Sequence, residues 1–172
     1  KHFAHQQGIG LNIVVATGNE SMLGLADVLD FLVDDQQTRV ITVFAEAVRD
    51  TGLFRKAAER ALRAAKPIVV VKVGSSELSV QAAQSHTGSI VGDDRVFEGV
   101  CRQLGVIRVR SIEELMFTAA LIEKTGVLQG EGVAVLSSSG GMGELAADYA
   151  QLEGVKLATL APATLDTLGG IL

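Results

Sequence analysis

The chain of 172 residues has no Trp and one Tyr, so it carries no aromatic platform on which bases could stack. One Cys excludes an intrachain disulfide and fits a reducing compartment, with the cytoplasm as the expected location. No uninterrupted apolar run reaches the length of a membrane span. The opening Lys1-His2-Phe3-Ala4-His5 has no signal-peptide pattern, and with no initiator Met it reads as a fragment or a processed piece. Basic residues are scattered and the net charge is -5, against the concentrated positive face that a nucleic-acid binder needs. What is abundant is apolar surface and glycine. Hydrophobic residues make up 48% and Gly numbers 19, enough to bury a normal core.

Short β-branched runs alternate with longer amphipathic stretches. Asn12 to Thr17 reads as a strand, Ser21 to Val33 as a helix, Val40 to Phe44 as a strand, and Thr51 to Ala65 as a helix. Pro67 to Val73 is nearly all apolar, as expected of a strand buried on both faces. Asp94 to Leu104 reads as a helix and Val106 to Val109 as a strand. Ser111 to Lys124 is a helix opened by an S-x-E-E cap. This rhythm predicts an α/β fold: a parallel sheet with helices on both faces. The pattern breaks in a glycine-containing linker. A strand at Gly132 to Leu136, a Ser/Gly turn, a helix from Glu144 to Leu152 and a strand at Val155 to Leu160 then suggest the start of a second, similar unit.

Ligands of open parallel sheets bind beyond the carboxyl ends of the strands. Three such ends carry distinctive residues: Gly18-Asn19-Glu20, Glu46, and a polar stretch from Gly74 to Gly92. Nine of those last nineteen residues are Gly, Ser or Thr, too small and polar for a core element. The stretch contains Ser85-His86-Thr87-Gly88-Ser89. An imidazole nitrogen can attack phosphorus while its partner nitrogen donates to an acceptor, and Glu46 is the candidate acceptor. Small neighbours leave room for phosphoryl oxygens. On residue type alone a surface or hydrogen-bonded loop histidine is the commoner reading of His86, and a solvated loop acid that of Glu46. Ser139-Gly140-Gly141-Met142-Gly143, between a strand and a helix, could offer free amides and a helix dipole to an anion, or could be a packing corner. Glu144 at the expected helix start would oppose an anion there. Cys101, with Phe97, Val100 and Leu104, reads as core filler.

The run Gly18 to Gly92, and above all S-H-T-G-S-I-V-G at Ser85 to Gly92, resembles the succinyl-CoA synthetase-like flavodoxin domain of ADP-forming acyl-CoA synthetases. The stretch Gly130 to Leu168 resembles the next domain of the same enzymes. The resemblance implies a flavodoxin-like domain at 1–126 without its first strand, and the beginning of a second CoA-ligase α/β domain at 127–172. It implies a phosphohistidine at His86 oriented by Glu46. It also implies phosphate binding at Thr87, Gly88 and Ser139 to Gly143, and substrate binding at Gly18 and Asn19, with no metal site. The implied reaction converts acid, CoA and ATP to acyl-CoA, ADP and phosphate. CoA and ATP or ADP with Mg2+ would be held mainly by CoA-binding and ATP-grasp domains that this chain lacks. Other expected partners are a small carboxylic acid and a second copy in a homo-oligomer, with no nucleic acid and no membrane. The alternative is a regulatory CoA-ligase-like module of a protein acetyltransferase, although such modules typically lack the phosphorylated His.

Overall fold

The computed structural model describes residues 2–74, 93–128, 130 and 132–171. The chain divides into two compact units, Lys1–Val127 and Leu128–Leu172.

In the first unit the order is α1 (His2–Gln6), α2 (Leu25–Asp34), β1 (Ile41–Ala45), α3 (Thr51–Arg63), β2 (Ile68–Lys72), α4 (Asp94–Leu104), β3 (Ile107–Val109) and α5 (Ile112–Thr125). The strands form a parallel sheet in the order β1-β2-β3, with Ala45 opposite Lys72 and Val71 opposite Val109. β2 is central, and all five of its residues are buried. Its alternation splits them between two cores. Ile68 and Val70 join residues of α2, α3 and α4, while Val69 and Val71 meet Leu115 and Ile122 of α5. Helices therefore cover both faces of the sheet, as the apolar run of β2 requires.

The helices start and stop where side chains can satisfy orphan backbone groups. Asp50 accepts from the Leu53 amide at 2.8 Å at the head of α3, and Asp93 from the Arg95 amide at 2.8 Å at the head of α4. Ser111 accepts from Glu114 N at 3.1 Å and Glu114 accepts from Arg110 N at 2.7 Å, so the expected cap on α5 is formed. α4 ends on Gly105 at φ +66°, a left-handed position that favours glycine. α2 begins four residues later than its periodicity suggests. The Leu25 amide is taken by Glu20 Oε1 at 3.2 Å and the Gly24 amide by Asp27 at 2.8 Å, which sets the first turn there. At its other end Lys66 Nζ donates to the carbonyls of Leu32, Val33 and Asp35 at 2.7–2.9 Å.

Three expected strands fail in the same way. Asn12 to Thr17 joins no ladder among the described residues, and Val14 and Val15 are 56% and 52% exposed. In the second unit, 132–136 and 155–160 share one parallel bridge among the described residues, Val133 with Leu157, with hydrogen bonds of 2.9 and 3.0 Å. A strand needs an edge to pair with, and none of the three stretches has one along its length among the described residues. The second unit otherwise consists of α6 (Gly140–Leu152) and α7 (Pro162–Gly169), and α7 starts on a proline that suits a first helical turn.

Candidate functional site

Parallel strands put their carboxyl ends on one side of the sheet, and three loops leave from it. Glu46 directly follows β1 and is exposed; its carboxylate makes no hydrogen bond or ion pair with a described residue. Across the ladder, Val73 N donates to Ala45 O at 3.0 Å, and Gly74 follows with φ +79°. The chain thus enters the 75–92 stretch beside Glu46. His86, Thr87 and Gly88 lie outside the described residues. Gly18 and Asn19 form an exposed turn, with Gly18 at φ +59°.

That turn is organised by Glu20, whose role sequence reading missed. One oxygen, Oε1, accepts from Thr17 Oγ1 at 3.1 Å and from the Leu25 amide; the other lies 3.8 Å from Arg49 Nε in the loop after β1. Glu20 itself sits at φ +53°, and its side chain is only 13% exposed. It ties the Gly18-Asn19 turn to the head of α2 and to the loop that carries Glu46.

A second group missed in the sequence closes the base of the 75–92 stretch. Lys72, the last residue of β2, has a side chain only 4% exposed. Its Nζ is 3.8 Å from Asp94 Oδ1 and 5.7 Å from the Phe97 ring centre. Arg108 of β3 binds the same Asp94 oxygen at 2.7 Å and Glu98 at 3.2 Å, and its guanidinium lies 5.5 Å from the same ring. One carboxylate therefore bridges two cations across the two ends of the stretch. Hydrogen bonds from Arg102 and Arg108 hold the Glu98 carboxyl below the usual range, and those from the Arg95 side chain and amide do the same for Asp93. The sequence signal was a lysine closing an otherwise apolar strand. Cys101, behind this cluster, is 1% exposed, and burial pushes its thiol up to about 11.

In the second unit the Ser/Gly turn is shorter than expected. α6 begins at Gly140 rather than Glu144, with Ser139 as its N-cap. Gly140, Gly141, Met142 and Gly143 are its first turn, and Gly143 N already donates to Ser139 O at 3.2 Å. The amides of Gly140, Gly141 and Met142 have no intrahelical acceptor. Glu144 sits a full turn inside, away from the dipole's positive end. A Cβ at Gly140, Gly141 or Gly143 would meet nothing within 4 Å, so packing among the described residues does not demand glycine there. Also among the described residues, no group of three or more His, Cys, Asp or Glu could hold a metal ion, and no helix is long and apolar enough to cross a membrane.

The sequence model of the succinyl-CoA ligase-like flavodoxin domain matches residues 2–122. The chain belongs to this family. Over 149 residues it is 39% identical to subunit alpha of acetate–CoA ligase [ADP-forming] I of Pyrococcus furiosus, which covers 87% of this chain and 32% of that subunit. It is 36% identical over 153 residues to a trans-feruloyl-CoA synthase of an unknown prokaryote, covering 89% of this chain and 22% of that protein. Among solved structures, the acetyl-coenzyme A synthetase 1 of Candidatus Korarchaeum cryptofilum, in complex with phosphate and ADP, superposes with a TM-score of 0.85 at 29% identity. That match covers 96% of this chain and 36% of the other. The chain thus spans about a third or less of the length of these relatives. The family accounts for the three parallel strands with helices on both faces.

Proposed function

We propose that this chain is the phosphoryl-carrying core of an ADP-forming acyl-CoA synthetase whose nucleotide- and CoA-binding parts lie in other domains. The observation that carries the reading is 39% identity, over 87% of the chain, to an ADP-forming acetate–CoA ligase subunit, across a stretch that includes Ser85-His86-Thr87-Gly88-Ser89. A neutral nitrogen of His86 attacks the γ-phosphorus of ATP; the N–P bond forms, the P–O bond to ADP breaks, and ADP leaves. A carboxylate oxygen of the acid substrate then takes the phosphoryl group, giving an acyl phosphate and restoring His86. The thiol of CoA attacks the acyl carbon, releases phosphate and gives acyl-CoA, its proton passing to solvent. Positioning and electrostatics supply most of the catalysis in such transfers.

Glu46 accepts the N–H of the other imidazole nitrogen and fixes the tautomer. Its exposed carboxylate, without a partner among the described residues and beside the entry to the 75–92 stretch, supports this role. The amides of Gly140, Gly141 and Met142 receive the phosphoryl oxygens, together with Thr87 and Gly88. Gly18 and Asn19 contact the acid or CoA. The parent works in the cytoplasm, and Mg2+ accompanies the nucleotide in another domain.

The test is incubation of the parent enzyme with γ-labelled ATP. An acid-labile, base-stable label on His86 is expected, absent in His86→Asn. Glu46→Gln slows its formation by about tenfold or more. Gly141→Val lowers its yield with the circular dichroism unchanged. Full activity of His86→Asn overturns the reading.

A further inference from the structure

Most arginines of the first unit spend their guanidinium on carboxylates. Arg60 reaches Asp30 and Asp34, Arg108 reaches Asp94 and Glu98, and Arg102 reaches Glu98. Arg49 is different. It donates no hydrogen bond to a described residue. Its ion pair among the described residues is with Glu20, and the nitrogen nearest that carboxylate is Nε, at 3.8 Å. The outer edge of the guanidinium, Nη1 and Nη2, is left unspent. The two partners are also unequal. Arg49 is 59% exposed, whereas the Glu20 side chain is 13% exposed and its Oε1 is fixed by Thr17 Oγ1 and the Leu25 amide. Glu20 is therefore an anchor, and Arg49 is a cation held by its inner side.

The place of this pair gives it a meaning. Arg49 lies in the loop between β1 and α3, three residues after Glu46, and is the cation of that loop. Glu20 follows the Gly18-Asn19 turn directly. It keeps a left-handed backbone, φ +53°, which is costly for a residue other than glycine and is found most often where a ligand is handled. On the acyl-CoA synthetase reading, a carboxylic acid has to reach a phosphoryl group beside Glu46. That approach sets an anion against the Glu46 carboxylate and the Glu20 carboxylate, and like charges repel at short range. It needs a cation with free donors on the same loop.

We propose that Arg49 binds the carboxylate of the acid substrate, with Glu20 as the positioning residue that holds the guanidinium ready. The outer edge of a guanidinium matches both oxygens of a carboxylate as a planar fork. Each oxygen keeps a further lone pair, so one can attack phosphorus while bound. With its inner edge already held, Arg49 loses less side-chain freedom when the substrate arrives. The proposal rests on the acyl-CoA synthetase reading and deepens it: the Gly18-Asn19 end of the site serves the acid rather than CoA.

Steady-state kinetics of the parent enzyme test this, with acetate or trans-ferulate as the acid, whichever the wild type turns over. Arg49→Gln should raise the KM for the acid at least ~10-fold. The KM for CoA, the kcat and the rate of His86 labelling from γ-labelled ATP should stay within about twofold of wild type, the pattern of a lost binding contact. Arg49→Lys should recover part of the loss, since an ammonium keeps the charge without the fork. Glu20→Gln keeps an acceptor for Thr17 and Leu25 but releases Arg49, and should raise the same KM by roughly threefold. An unchanged KM for the acid in Arg49→Gln, with normal circular dichroism and normal labelling of His86, strikes Arg49 and leaves the acyl-CoA synthetase reading standing. So does a rise in the KM for CoA alone, or slowed labelling, which would place Arg49 on CoA or on the phosphoryl group. If Arg49→Gln does not fold, an unchanged KM for the acid in Arg49→Lys and Glu20→Gln strikes it equally. A wild type that takes no label on His86 overturns the underlying reading and this assignment with it.

Discussion

The two units of the chain are written in the same alphabet and reach different degrees of closure. The first buries Leu29, Ile41, Val69, Val70 and Cys101 almost completely. In the second, Ala150 is the one buried residue among those described, and Val135, Leu136, Leu152 and Leu157 are 39–79% exposed. The runs Val40 to Phe44 and Gly132 to Leu136 look alike in sequence. One becomes a ladder because β2 lies beside it; the other is left with a single bridge. A strand is a property of a pair, and a core requires surfaces on two sides.

The largest way to break the contrast is to remove core volume. Leu29→Ala in the first unit should lower stability by roughly 2–5 kcal/mol, whereas Leu136→Ala, on a side chain already in solvent, should change it by less than about 0.5 kcal/mol. Urea denaturation of the isolated chain reads both. Equal effects would mean that the second unit closes in solution on a core of its own.

A smaller effect sits at the foot of the 75–92 stretch. Asp94→Asn leaves the enclosed ammonium of Lys72 without its shared anion, and Arg108 keeps only Glu98. Because Asp94 is 32% exposed, solvent screens much of the loss, and about 1–2 kcal/mol is expected in thermal or urea unfolding. The acid limb has a definite sign. The carboxyls of Glu98 and Asp93 are held low in the folded chain, so their contribution is complete above the unfolded carboxylate range. It is lost as the pH falls through the lowered values. A stability profile that improves on acidification would contradict this.

The smallest effect concerns Cys101 and is invisible at neutral pH. Its folded value of about 11 lies above the ordinary 9.0. The thiol's stabilising contribution is therefore whole below pH ~9 and is lost as the pH rises towards 11. Cys101→Ala should flatten that limb relative to the wild type in melts at pH 8 and 10.5, and alkylation of Cys101 at pH 8 should await unfolding.

Periodicity revealed what periodicity controls. β2 was legible because four consecutive β-branched apolar residues, Ile68 to Val71, suit a strand covered on both faces, and α4 because its apolar residues recur at helical spacing. Glu46 was placed correctly at a strand end by topology alone. Other features depend on partners distant in sequence. The late start of α2 comes from the Glu20 carboxylate reaching Leu25, and the early start of α6 from three glycines that are poor helix formers yet stand at the first turn. Lys72, Asp94 and Arg108 are each ordinary in sequence and become a cluster only when β2, α4 and β3 are brought side by side.

Lys66 shows how much identity can hide in a loop. Its ammonium is seated in a bowl of three carbonyl oxygens that close α2, much as a small inorganic cation would be seated by a crown of ether oxygens. A point charge with three tetrahedral hydrogens fits such a bowl; a flat guanidinium does not. Arginine at this position would keep the charge and lose the coordination, so a substitution usually scored as conservative would here uncork the end of a helix.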